Sequence, residues 1–163
     1  MIRIIITYFI AFLTGCSYSV YSSGYPHLKT ITVNVFTNQT TQYNLEQDLL
    51  LDLSDRFLKD GRLQIVGISP DCQLEGEILD YTNKIWRYSE TGVEEYEVRI
   101  LFKVVFTDLV KNEIIYRHDT LSLREVYAPN SDNEGDFTTE EAAQREIYRK
   151  LFETIIRISL DEW

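Results

Sequence analysis

Between residues 96 and 106 every second side chain is apolar: Tyr96, Val98, Ile100, Phe102, Val104 and Phe106. Only an extended strand puts such a set on one face. An unbroken run of this length predicts a central strand. Its other face (Glu97, Arg99, Leu101, Lys103, Val105) is mixed, not fully polar. On either side lie further extended stretches. Residues 72–88 alternate well at first (Cys72, Leu74, Gly76, Ile78) and less regularly later. A turn at 90–93 follows, with Gly92 suited to positive φ. Residues 114–127 form another strand whose apolar phase slips at 117–121, which predicts a bulge.

Two segments change to helical period. In residues 43–60, Leu45, Leu49, Leu53 and Phe57 recur every fourth position, flanked by Leu50 and Leu58. Asn44 is a candidate cap, and Gly61 stands where a left-handed residue ends a helix. After a polar, acidic loop at 128–136, Thr138 and Glu141 have the spacing of a capping box. Ala143, Ile147, Leu151, Ile155 and Ile158 then mark a buried stripe, widened by Tyr148 and Phe152. Earlier, residues 30–36 alternate Ile31, Val33 and Val35 against Thr30, Thr32 and Asn34, which predicts a half-buried strand. Residues 38–42 read as a polar turn, and residues 63–66 as a short strand. A helix between the first two strands favours a right-handed crossover. The expected fold is α+β in two layers: two amphipathic helices on one face of a four-stranded, mostly antiparallel sheet.

The N-terminus reads differently. Arg3 precedes a short apolar run, and Leu13, Thr14, Gly15 and Cys16 close it. The run suits a secretory signal peptide and is too short to span a bilayer. Its ending looks like the lipobox of bacterial lipoproteins, in which the Cys thiol is acylated before cleavage. On that reading residues 1–15 are removed, lipid sits on Cys16, residues 16–29 form a tether, and residues 30–163 form one domain. An ordinary signal peptide with a coincidental Cys is the alternative. Cys72, the other of two cysteines, is then unpaired and fits a buried, inert thiol.

The chain carries a formal charge of −10. That argues against a nucleic-acid binder, which would show a basic stripe, and against electrostatic adhesion to anionic lipid. Catalytic signals are sparse. His27 lies in the tether. His118 and Asp119 are neighbours on a strand and point to opposite faces, so they form no dyad. No nucleophile elbow, metalloprotease motif, phosphate-binding glycine loop or cysteine cluster is present. The acidic loop lacks the ligand spacing of a calcium loop. No catalytic residue, metal or cofactor is expected, apart from covalent lipid on Cys16. Tyr and Trp are frequent on the strands, and such residues suit interfaces as well as cores.

Several segments, in this order, resemble the lipopolysaccharide-assembly lipoprotein family, LptE. They are Cys16 followed by Gly24 and Tyr25; residues 27–36 leading into 38–41; residues 57–63 (FLKDGRL); residues 71–81 (DCQLEGEILDY); Phe106 to Asp108; and the Glu140-Glu-Ala-Ala helix start. The resemblance covers nearly all of 16–163. It implies two helices on a four-stranded sheet. It also implies an outer-membrane plug inside an LptD-like β-barrel, which helps the barrel assemble and serves lipopolysaccharide delivery to the outer leaflet. Ser17 is not the Asp that commonly retains lipoproteins at the inner membrane. For barrel contact the candidates are Tyr81, Trp86, Leu101 and Val105. Lipopolysaccharide is a possible ligand, and the candidates for it are Lys84, Arg87, Arg117 and Arg124. Acids such as Glu95, Glu97, Asp119 and Glu125 would lie near them. A lipid-anchored scaffold or binding lipoprotein with another partner is the alternative function.

Overall fold

The computed structural model describes residues 25–89, 92–131, 133 and 136–158. The segment read as a signal peptide, Cys16 and the first part of the segment read as a tether lie outside the described residues, as do Glu90 and Thr91 of the hairpin turn. The elements run β1 (Thr30–Val33), β2 (Thr37–Asn38), α1 (Leu45–Asp60), β3 (Gln64–Ile65), β4 (Cys72–Ser89), β5 (Gly92–Asp108), β6 (Glu113–Tyr127) and α2 (Glu140–Ile156).

The fold is α+β, but the sheet has six strands, in the order β3-β1-β4-β5-β6 with β2 also on β4. This corrects the expected four. It is also partly parallel. β1 pairs parallel to β3 and to β4, and β2 pairs parallel to β4, while β4, β5 and β6 are antiparallel. Of the two shortest strands, β3 falls within the short strand expected at 63–66, whereas β2 stands where the expected polar turn at 38–42 begins; at two residues each, they are too short for alternation to register. They form because backbone N–H and C=O groups beside β1 and β4 need partners.

The inward row of β5 is the predicted one: Val98, Ile100, Phe102, Val104 and Phe106 are all buried. Opposite them in β4 stand Leu74, Gly76, Ile78, Tyr81 and Asn83, with a bulge between Ile78 and Asp80. In β6 the expected slip is a register shift opposite Phe102–Val104, so that Leu121 and His118 face those two residues.

The first strand departs from expectation. It ends at Val33, and Phe36 rather than Val35 turns into the core, at 2% and 51% exposure. The reason lies across the sheet. Gly76 is the inward position of β4 without a side chain, and a Cβ there would lie 2.5 Å from the Phe36 ring and 2.2 Å from the Lys103 carbonyl oxygen. The Phe36 ring occupies the space the glycine leaves.

Both helices cover this face. α1 buries Leu45, Leu49, Leu53 and Phe57, while α2 buries Ala143, Ile147, Tyr148, Leu151, Phe152 and Ile155. Phe57 and Phe152 meet edge to face with centroids 5.0 Å apart. The caps differ from the sequence reading. Asn44 is left-handed and caps through its backbone carbonyl, which accepts from Gln47 and Asp48, and not through its side chain. In α2 the cap is Thr139, not Thr138; its hydroxyl accepts from the Ala142 amide at 3.2 Å. Gly61 ends α1 as expected, with φ 72° and its amide on the Phe57 carbonyl.

Candidate functional site

The helices leave the other face of β4–β5–β6 open. Its middle row is Glu95, Glu97, Arg99, Leu101, Lys103 and Val105. Glu97 is buried although it sits on this face, at 2% exposure. A buried carboxylate needs paired charge. Lys84, directly opposite on β4, lies 3.2 Å away, and the Arg124 guanidinium of β6 donates at 3.3 Å. Trp86 covers this group. It is the extra residue where β4 slips between Ile85 and Arg87. Its ring centroid lies 5.9 Å from Lys84 Nζ and 5.8 Å from Arg124 Cζ, which is cation–π range.

Further ion pairs cross the same strands: Arg87 with Glu95 at 3.0 Å, Arg99 with Asp80 at 3.3 Å, and Lys103 with Glu77 at 2.5 Å. Arg117 pairs with Asp119 at 2.9 Å. The four cations named as lipopolysaccharide candidates therefore each hold a carboxylate. A phosphate group would compete with Glu97, Glu95 or Asp119 for them.

Of the candidates for barrel contact, Trp86, Leu101 and Val105 share the open face, the last two half-buried among the charged pairs. Tyr81 does not share it. It stands opposite Ile100 on the helix-covered face, packs against the core and donates its hydroxyl to Glu140 of α2. Burial, reinforced by Glu140, raises its phenol pKa.

A second polar group lies where the chain enters the sheet. Of the segment read as a tether, residues 25–29 are described, and two of them pack onto the domain: Leu28 is buried and Tyr25 lies against the core. His27 Nε2 donates to Asp108 Oδ2 at 2.5 Å, and Asp108 Oδ1 accepts from the amides of Val110 and Lys111 at 2.9 Å each. Burial pushes the Asp108 carboxyl up, but these hydrogen bonds outweigh it and leave the carboxyl below its ordinary range. Asp71 Oδ2 accepts from the amides of Lys29 and Thr30, which lowers its pKa likewise. Beside them Cys72 is buried and free, its thiol pushed up to about 12 by burial and by Asp71 and Asp108. So high a pKa leaves almost no thiolate, and the sulfur is inert. Cys72 is the buried thiol expected from the sequence, but sequence reading missed the His27–Asp108 and Asp71 contacts around it. The available signal was Asp108 opening a turn, an Asx-turn position.

His118 is exposed, and its Nδ1 accepts from the Thr120 amide at 3.2 Å. Among the described residues no group of three or more His, Cys, Asp or Glu side chains is placed to hold a metal ion. No described helix is long and apolar enough to cross a membrane.

The architecture has solved counterparts. The hypothetical protein CT253 from Chlamydia trachomatis matches with a TM-score of 0.54 at 11% identity, covering 79% of this chain and 94% of that one. Protein XCC0632 from Xanthomonas campestris matches at 0.51 and 8% identity, covering 80% and 84%. At such identities the likeness is one of fold alone. A search of curated proteins finds no match. The family model for lipopolysaccharide assembly, LptE, matches residues 28–157, essentially the whole packed domain from Leu28 to the end of α2, and the chain belongs to that family.

Proposed function

We propose that this protein is an outer-membrane lipoprotein, held by lipid on Cys16, that acts as plug and assembly partner of an LptD-type β-barrel in lipopolysaccharide transport. The observation that carries the reading is the family match across residues 28–157. The structure supplies a physical rationale. A plug needs rigidity and a surface that fits a lumen; it needs no catalytic group. The two-layer core provides the rigidity. The open face provides the surface, with Leu101 and Val105 set among charges already neutralised by neighbours. Pre-paired charges lose less on entering an interface than bare ones. The tether raises the local concentration of plug near the barrel.

The test is gentle detergent extraction of native membranes, followed by pull-down and identification of what accompanies the protein. An equimolar large β-barrel supports the reading. A lipid-carrying protein recovered without a barrel overturns it in favour of an envelope scaffold with another partner.

A further inference from the structure

Resting on the reading that Cys16 carries lipid, we propose that the chain-entry end of the domain contacts the bilayer directly, through Ile68, Leu109 and Val110. These three apolar side chains are exposed, Ile68 at 86% and Val110 at 62%. They lie on two loops, 66–71 and 108–113, that are joined by the Leu109 amide donating to the Asp71 carbonyl at 2.8 Å. That bond ties the two loops to each other where Asp71 and Leu109 meet.

Charge at this end is arranged for a lipid surface. The two carboxylates nearest the patch, Asp71 and Asp108, accept hydrogen bonds from backbone amides and His27. Lys29 and Lys111 are exposed, and Lys111 Nζ stands 5.9 Å from the Tyr25 ring centroid. Glu113, at the base of the β5–β6 turn, is the exposed acid nearby. Apolar side chains rimmed by lysines and a tyrosine suit the headgroup–acyl boundary.

Chain length selects the bilayer as the occupant. Tyr25 packs at this end, fixed by the His27–Asp108 bond and buried Leu28. Nine residue steps separate it from Cys16, so the lipid lies within about 30 Å even if they are fully extended. A second exposed apolar group, Trp86 and Tyr88 near the β4–β5 turn, lies toward the far end of β4, roughly 45–50 Å from Cys72 along the strand. The anchor keeps the first group close to the membrane and puts no such constraint on the second.

The test uses the full lipidated chain in vesicles of phosphatidylethanolamine and phosphatidylglycerol. An environment-sensitive NBD label is placed through Val110→Cys, and separately through Tyr88→Cys; native Cys72 is buried and unreactive, and Cys16 is blocked by lipid. Leu109→Cys serves as a second site should Val110→Cys disturb the turn. Mass spectrometry of the N-terminal peptide reports lipid on Cys16. The expected result is blue-shifted emission at position 110 and reduction by dithionite slowed at least several-fold relative to position 88. Equal accessibility at both positions, with lipid present on Cys16, overturns the membrane contact and leaves the anchor standing. Absence of lipid on Cys16 overturns the anchor and the contact together.

Discussion

Single side chains divide into those whose role follows from alternation and those whose role does not. Phe102 belongs to the first kind. It is fully buried in the inward row of β5, and Phe102→Ala should cost about 3–5 kcal/mol in a urea titration. Gly76 belongs to the second. Its inward position was readable, but its need for glycine was not, because the Phe36 ring comes from another element. A methyl at Gly76 would press on the Lys103 carbonyl, which is backbone and cannot swing aside. Gly76→Ala should destabilise by about 1–3 kcal/mol, an overpacking cost, and an unchanged midpoint would remove Phe36 from that space. Glu97 was legible only as an acid near cations. That it is buried, with Lys84 and Arg124 on it and Trp86 above, depends on the β4 bulge. Glu97→Gln removes the charge that occupies both cations. Retention of lipopolysaccharide on immobilised protein should then rise, and a fall would exclude Lys84 and Arg124 as its phosphate contacts.

Elements were legible where they are long. α1, α2, β4, β5 and β6 each contain enough turns or alternations for a period to show, and all five exist. Their ends were less so, since a cap is a matter of one residue's backbone. Thr139→Ala should cost about 1 kcal/mol, and Thr138→Ala much less; equal effects would contradict the observed cap. The entry segment carries a pH dependence. Asp108 has a folded pKa below its ordinary value, so on acidification the unfolded chain takes up the proton first. Its stabilisation is complete above about pH 4 and is lost as pH falls through the folded value. Asp108→Asn should therefore lower the urea midpoint at pH 7, with the gap from wild type narrowing below pH 4. A gap that stays constant down to pH 3 would rule out a lowered carboxyl.

For the whole molecule, the open face is the surface to test. Val105→Glu changes a half-buried residue outside the core, so folding stability should shift by less than about 1 kcal/mol. Recovery of the barrel in pull-down should nevertheless fall several-fold. Undiminished recovery would move the contact to another face. By itself the sequence determined which segments extend and which coil, and which side of each is apolar. These are local periodicities, set by backbone geometry and burial. It also carried the family pattern and the acidic balance. Only the tertiary structure decided that the sheet is mixed, that Tyr81 lies beneath α2 while Trp86 lies on the open face, and that His27 fastens the entering chain to Asp108. Those outcomes depend on bulges, on crossovers and on contacts between residues far apart in the chain. A period of two or of 3.6 describes one strand or one helix and says nothing about which neighbour it meets.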